Sequence, residues 1–198
     1  MSFAHCTVSG AARAILILGG AGGVGSIAIQ LARQLTDLTI VATASRPETV
    51  QWAQDMGAHH VVDHRKPLAP QVAALGMGSP GFIFATSTIG GAIADLAEVI
   101  APQGRIALIN GEAADLFLFR PKSVSIHFEL MFTRPLHNTA DIEAQHRLLN
   151  EVANLVDSGR VRSTMRENYG RIDAANLMRA MKFLKSGRAI GKVVLAGF

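Results

Sequence analysis

Short apolar runs rich in β-branched residues alternate with longer stretches of helical period between residues 14 and 127. Both faces of the runs are apolar, as in a parallel sheet that helices cover on each side. The pattern therefore predicts an α/β fold with a doubly wound parallel sheet of six strands. The expected strands are AILIL (14–18), TIVATA (39–44), HVVD (60–63), GFIFA (81–85), RIALI (105–109) and VSIH (124–127), with helices at about 23–35, 47–56, 68–75 and 89–100.

The alternation of short apolar runs with helical stretches ends after Pro135. The stretch TADIEAQHRLLNEVANLVDSG (139–159) predicts a long helix with one broad apolar stripe that ends at Gly159. A second helix is expected at about 173–185, followed by a last strand in GKVVLAGF. We therefore divide the chain into a leader (1–11), a main domain (12–160) and a C-terminal helix-strand tail (161–198).

The composition limits which classes of protein the chain can belong to. The 198 residues are 49% hydrophobic, carry a formal charge of +4 and contain no run of Lys or Arg, which gives nucleic-acid binding little support. Cys6 is the only cysteine, so a reducing compartment is the default. No apolar run reaches the roughly 18 residues that cross a bilayer, and the first ten residues do not resemble a signal peptide. We expect a cytoplasmic protein that contacts neither nucleic acid nor membrane.

The first expected strand leads into a glycine-rich turn with five glycines between residues 19 and 25. Gly20, Gly22 and Gly25 match G-x-G-x-x-G after a strand and at the start of a helix. In that pattern the first glycine permits the turn, the second admits a pyrophosphate, and the third allows close packing. Free amides and the positive end of the helix dipole favour an anion there. The sequence thus predicts a Rossmann domain that binds a dinucleotide, although a tight turn without a ligand remains open.

The end of the second expected strand indicates which dinucleotide. NAD-binding domains place an Asp or Glu about twenty residues beyond the glycines to bind the ribose. Here the strand ends in Ser45 and Arg46. A hydroxyl and a guanidinium suit a 2′-phosphate, which favours NADPH. The alternative is that Ser45 only caps the next helix and Arg46 is a solvated loop residue.

His64 lies just beyond the third expected strand and could stack on adenine or donate to the 2′-phosphate. Arg65 and Lys66 would add positive potential beside it. His59 and His60 are adjacent, so they point to opposite faces of a strand and do not form a metal site with His64. We expect no metal ligands in this chain.

Four stretches resemble the cofactor-binding part of a medium-chain dehydrogenase/reductase, close to the quinone oxidoreductase branch. They are GGAGGVGSIAIQLARQ, WAQDMGAHHVVDHRK, GRIALING and LMRAMKFLKSGRAIGKVVLAGF. The stretch KSVSIHFELMFTRPLHNTADIEAQHRLLNEVANLVDSGRVRSTM is similar to a group labelled zinc-type alcohol dehydrogenases, most of whose members resemble zinc-free enone or quinone reductases. The resemblance covers residues 12–198.

The resemblance implies a catalytic lobe ahead of the glycine turn, which this sequence lacks. We therefore expect a fragment that is inactive alone, with a tail that belongs partly to the missing lobe. The implied reaction is hydride transfer from NADPH to a quinone or an α,β-unsaturated carbonyl. No catalytic residue can be named. The implied site residues are Gly22, Gly23, Val24 and Gly25 for the pyrophosphate, Ser45, Arg46 and His64 for the adenosine phosphate, and Thr86, Ser87, Ile109, Asn110 and Gly111 for the ribose and nicotinamide.

The segment VSIHFELMF (124–132) should place the sixth strand at a sheet edge, where unpaired backbone groups need a partner. The resemblance implies a homodimer in which two such edges meet about a two-fold axis. The alternative is that the helix at about 140–158 covers the edge within one chain.

Three other functions remain open at this point. A non-catalytic domain that senses NAD(P) would show the same turn. A zinc-dependent alcohol dehydrogenase would carry its ligands in the missing lobe. A methyltransferase that uses S-adenosylmethionine also has a glycine-rich first turn, but it usually needs a carboxylate where Ser45 and Arg46 stand.

Overall fold

Six strands pair into one sheet in the computed structural model, which describes residues 12–86, 91–110 and 115–197. Every neighbouring pair is parallel. The spatial order 3-2-1-4-5-6 reverses direction between the first and fourth strands, which is where doubly wound sheets bind ligands. The predicted Rossmann fold is thereby confirmed. The strands are β1 (Ala12–Leu18), β2 (Thr39–Thr43), β3 (His60–Val62), β4 (Pro80–Ala85), β5 (Arg105–Leu108) and β6 (Ser125–Phe128).

The helices between these strands begin and end close to the predicted positions. Pro47 starts the second helix, where its missing N–H costs nothing. The fourth helix is shorter than expected, because residues 91–92 form a turn ahead of it. The described helices are α1 (Gly23–Leu35), α2 (Pro47–Asp55), α3 (Leu68–Ala74), α4 (Ile93–Val99), α5 (Thr133–His137), α6 (Ala144–Asp157) and α7 (Ala174–Lys185), with a 3-10 helix at Leu116–Lys122.

Alternate residues of β1 face two separate cores. Leu16 and Leu18 belong to one apolar cluster, while Ile15 and Ile17 belong to the other. Helices α3 and α4 cover the first cluster and helices α1 and α2 the second. The buried strands are therefore apolar on both faces, as the sequence pattern predicts.

The tail contains a strand that the sequence analysis missed. Residues Met165–Asn168 form β7, which pairs in parallel with β8 (Lys192–Val194) in a separate two-stranded sheet. The predicted long helix is shorter than its pattern, because residues 140–143 form turns before α6 begins. Of its apolar stripe only Leu155 is buried, while Leu148 and Leu149 are exposed.

No helix within the described ranges has both the length and the apolar composition that a bilayer-spanning segment needs.

Candidate nucleotide-binding site

The glycine turn is held against the end of β2 by Thr43. The Thr43 hydroxyl oxygen accepts from the Gly19 N–H at 3.0 Å, and its carbonyl accepts from the Gly20 N–H at 3.1 Å. The backbone of Gly19 has φ of 69°, a left-handed conformation that favours glycine. The tight turn therefore uses the freedom of Gly19, a residue outside the motif positions.

Gly20 and Gly25 are required by close packing. A Cβ on Gly20 would lie 2.7 Å from the Cβ of Ala42 on β2. A Cβ on Gly25 would overlap the carbonyl oxygen of Gly19 and lie 2.8 Å from the Cα of Gly20. At Gly22 the nearest heavy atom, the Gly19 oxygen, would be 3.3 Å away, so this position is less restricted within the chain.

Helix α1 opens toward the space in front of the turn. Gly22 is its N-cap, and its first turn contains no acidic residue. The N–H groups of Gly23, Val24 and Gly25 precede the point where a helix supplies its own acceptors. These donors and the helix dipole make the start of α1 suitable for an anion such as a pyrophosphate.

The C-terminal tail brings a cation to the same place. The Gly191 N–H donates to the Ala21 carbonyl at 2.8 Å, and Gly191 forms a parallel bridge with Gly22. The Lys192 side chain then lies across Gly23, where an added Cβ would be 3.0 Å from its Nζ. Lys192 could not be predicted from the sequence, because about 170 residues separate it from the turn and the two meet through the docked tail.

The Arg46 side chain, just after the end of β2, forms two contacts within the chain. Its Nε lies 3.2 Å from a carboxylate oxygen of Glu48, and its Nη2 donates to the Arg188 carbonyl at 3.0 Å. The sequence has no carboxylate at the tip of this strand, but the first turn of α2 brings Glu48 back to Arg46. Ser45 is half-buried beside it.

A second paired carboxylate lies at the end of β3. Asp63 binds Arg65 through Oδ2 and Nη2 at 2.7 Å, and its Oδ1 also accepts from the Arg65 N–H at 2.9 Å. Hydrogen bonds from the Arg65 side chain, and then from its backbone, hold the pKa of Asp63 far below its ordinary value. Arg65 also donates to the Ser45 carbonyl at 2.9 Å, so it joins the ends of β2 and β3.

A cleft of about 630 Å³ lies between these strand ends and α4. His64, Arg65 and Lys66 line it together with Thr43, whereas the predicted residues Ser45 and Arg46 do not. Asp95 lines the opposite wall, and its Oδ2 accepts from the Leu68 N–H at the start of α3 at 2.8 Å. Neither Thr43 nor Asp95 was predicted, because each acts through a backbone group far away in sequence.

The remaining predicted residues follow β4 and β5. The Thr86 hydroxyl donates to the Leu18 carbonyl at 2.6 Å, which ties the end of β4 to the end of β1. The Ile109 N–H donates to the Ala85 carbonyl at 3.3 Å, and Asn110 is exposed. Ser87 and Gly111 lie outside the described residues.

The described ranges contain no group of three or more His, Cys, Asp or Glu side chains that could hold a metal ion. His59 is used inside the fold, since its Nδ1 accepts from the Ile40 N–H at 2.8 Å. Partial burial, and then the nearby charge of Arg33, lower the pKa of His59 and favour its neutral form.

Comparison with known proteins is consistent with this geometry. Residues 23–134 match the family described as zinc-binding dehydrogenase. A zinc-type alcohol dehydrogenase-like protein of Staphylococcus aureus is 34% identical over 193 residues, which cover 96% of this chain and 57% of that protein. A 2-methylene-furan-3-one reductase of Solanum lycopersicum is 25% identical over 92% of this chain and 40% of its own length.

Solved structures agree in fold. A Rhizobium etli protein described as a zinc-dependent alcohol dehydrogenase is 58% identical, with a TM-score of 0.94. The match covers 97% of this chain and 56% of the Rhizobium etli chain. A quinone oxidoreductase of Pseudomonas syringae shares the fold at 22% identity, with a TM-score of 0.77 over 93% of this chain and 57% of its own. The chain thus spans about half the length of the proteins that it matches.

Proposed function

Because this chain belongs to the zinc-binding dehydrogenase family of medium-chain dehydrogenase/reductases, we propose that it is the NADPH-binding part of an oxidoreductase. The observation that carries the proposal is the start of α1, where the first amides of the helix, closely packed glycines and the Lys192 side chain meet in front of the turn. A pyrophosphate fits this combination of donors, dipole and cation.

The residues divide among the parts of the cofactor. Gly22, Gly23, Val24 and Gly25 would hold the pyrophosphate with their amides, assisted by Lys192. The adenosine half would occupy the cleft beside Thr43 and His64. The ribose and nicotinamide would lie against the ends of β4 and β5, next to Thr86, Ile109 and Asn110.

The charges at the ends of β2 and β3 support NADPH over NADH. Arg46, Arg65 and Lys66 are cationic, and the two carboxylates among them, Glu48 and Asp63, are each paired with an arginine. A paired carboxylate is a poor acceptor for a ribose hydroxyl, whereas an excess of positive charge attracts a phosphate.

The bound cofactor would supply a hydride for the acceptor. For an α,β-unsaturated carbonyl, the hydride adds to the β-carbon and a proton to the α-carbon; a quinone accepts the same two electrons and two protons in all. In this proposal the chain orients the reacting carbon and excludes water. The 2-methylene-furan-3-one reductase of Solanum lycopersicum supports this class of acceptor, because a 2-methylene-furan-3-one is an α,β-unsaturated ketone.

An alcohol and aldehyde pair is a second candidate, favoured by the names of the staphylococcal and rhizobial relatives. A zinc ion of that chemistry needs a set of Cys, His and acidic ligands. The described residues do not provide such a set, and the proposal assigns no step to zinc.

The pyrophosphate assignment can be tested with Val24→Asp. Val24 is 38% exposed in the first turn of α1, where an Asp is favourable to the helix but repels an anion. NADPH binding, measured by calorimetry, should weaken by about tenfold or more. The matched control is Gln54→Glu, which adds the same charge at an exposed position of α2 and should leave NADPH binding unchanged. Equal binding by Val24→Asp and the unaltered chain would contradict the assignment.

We also propose a homodimer formed through β6, which is an edge strand of the sheet. The Ser125 N–H donates to the carbonyl of Gly104, just before β5, and the Glu129 N–H donates to that of Leu108 in β5. Alternation along the strand therefore turns the N–H groups of Ile126 and Phe128 away from β5. Phe128, Leu130, Met131 and Phe132 expose more than half of their surface next to this edge. A second copy of the edge would satisfy the backbone groups and bury these side chains.

A further inference from the structure

The Asp63 carboxylate lies beneath the Arg65 guanidinium at the edge of the cleft. Arg65 offers three groups to it, with Nε and Nη2 on the two carboxylate oxygens and the backbone N–H on Oδ1. The Asp63 side chain is 20% exposed and that of Arg65 is 62% exposed. A ligand that enters the cleft therefore meets the guanidinium before the carboxylate.

The same guanidinium reaches the neighbouring strand. Arg65 Nη2 donates to the carbonyl of Ser45, the residue that follows the end of β2. The two strand ends are already in register, because the Ala44 N–H donates to the Val62 carbonyl at 3.0 Å. Arg65 thus places its positive charge directly beside Ser45.

The loop that carries the pair is held by other contacts. The Gln71 side chain accepts from the Asp63 N–H at 2.8 Å and donates to the carbonyls of Asp63 and Pro67 at 2.9 and 2.8 Å. Asp95 holds the Leu68 N–H at the other end of the loop. Changing either charged side chain of the pair should therefore leave the loop in place.

We propose that the Asp63–Arg65 pair determines which adenine dinucleotide the chain prefers, an inference that rests on the proposed binding of NADPH in this cleft. With Arg65 present, the carboxylate is covered and the charge that meets the ligand is positive, which favours a 2′-phosphate. Without Arg65, an uncovered carboxylate repels that phosphate and can accept a hydrogen bond from a 2′-hydroxyl instead. Arg65 thus favours a ligand with a 2′-phosphate, whereas Asp63 favours one with a 2′-hydroxyl.

Two fragments of the cofactor test this pair: adenosine 2′,5′-bisphosphate, which carries the 2′-phosphate, and adenosine 5′-monophosphate, which does not. Calorimetry would measure both with the unaltered chain, Arg65→Gln, Asp63→Asn and the double variant. Arg65→Gln should lower the affinity for the bisphosphate by about tenfold or more and the affinity for the monophosphate by less than about twofold. Asp63→Asn should raise the affinity for the bisphosphate. The affinity of the double variant should lie between those of the two single variants.

The matched control is Arg13→Gln, which breaks an exposed ion pair with Asp37 ahead of the buried part of β1 and should change neither affinity. If Arg65→Gln weakens both fragments equally, the pair has only a structural role and the inference is wrong. An unchanged bisphosphate affinity in Arg65→Gln would also overturn it. If the unaltered chain binds NADPH but the ratio of the two fragments never changes, the proposed function survives and this inference fails. If the unaltered chain binds neither fragment nor NADPH, both fail.

Discussion

Single glycines shape the site through different physical requirements. Gly19 adopts the left-handed backbone, whereas Gly20 and Gly25 remove Cβ atoms that would strike neighbouring atoms. The G-x-G-x-x-G spacing predicted the packing of Gly25, because that role follows from how a helix leaves a strand in this fold. It did not identify Gly19, since any of the clustered glycines could supply the turn.

Gly25→Ala should reduce the stability of the fold. The added Cβ overlaps backbone atoms of Gly19 and Gly20, which cannot move aside as a flexible side chain can. We expect a loss of about 1–3 kcal/mol in the free energy of unfolding, measured by urea denaturation. Gly91→Ala is the control, because its Cβ would meet no atom of the described residues within 4 Å, and its stability should stay within about 0.5 kcal/mol of the unaltered chain. Equal stabilities of the two variants would refute the packing role of Gly25.

The charged residues of the site were only partly predictable. Ser45, Arg46 and His64 could be selected because they follow strand ends, and parallel strands end at one edge of the sheet. Their partners could not be selected. Glu48 returns to Arg46 only after α2 has formed, and Arg188 reaches it from the tail. The predicted roles of these residues in cofactor binding remain predictions.

At the scale of elements, α1 connects the glycine turn to the tail. Gln30, buried near the middle of α1, accepts from the Arg162 N–H at 2.8 Å and donates to the Arg162 carbonyl at 3.1 Å. Trp52 of α2 donates to Ser26 of α1 at 2.8 Å, and the Arg162 and Arg166 guanidinium groups lie over its ring. These contacts place the tail so that Gly191 and Lys192 reach the turn.

Gln30→Ala should loosen the tail while α1 persists. The variant removes both bonds to the Arg162 backbone, and we expect it to cost about 1–2 kcal/mol of stability. Amide hydrogen exchange should accelerate in residues 161–168 more than in β1 or β2. Gln51→Ala, which removes only an exposed bond to Asp55, serves as the control and should show no such change. Unchanged exchange in the tail of Gln30→Ala would count against this link.

The order and limits of the elements were predicted well where hydrophobic period dominates. Strands β1 to β6 and helix α1 lie within two residues of the expected positions, because buried apolar runs and glycine stops are local signals. Strand β7 was missed because its residues, MREN, are all exposed and carry no apolar alternation. Its pairing with β8 depends on a contact that no local pattern contains.

At the scale of the whole molecule, the strand order places the proposed cofactor site and the edge strand β6 on different parts of one sheet. Residues at the ends of β1, β2 and β3 line the cleft that we propose for adenosine, while β6 lies at the far edge of the sheet. A partner chain on β6 would therefore leave the cleft between β2, β3 and α4 open. Assembly and cofactor binding can consequently be tested by separate variants.

Phe128→Lys should prevent the proposed dimer. Phe128 is 65% exposed at the end of β6, so the substitution leaves the core intact but buries an ammonium in the contact between two edges. Light scattering at micromolar concentration should show a dimer for the unaltered chain and a monomer for the variant. Leu35→Lys, at the end of α1 and 49% exposed, should remain dimeric. A monomeric unaltered chain would contradict the proposed interface.

We propose that the turn between β1 and α1, with the paired charges at the ends of β2 and β3, forms a site for NADPH. The most direct test is a calorimetric titration of the unaltered chain with NADPH and with NADH at the same salt concentration. We expect saturable binding of NADPH, tighter than that of NADH by about tenfold or more. Equal affinities, or tighter binding of NADH, would contradict it.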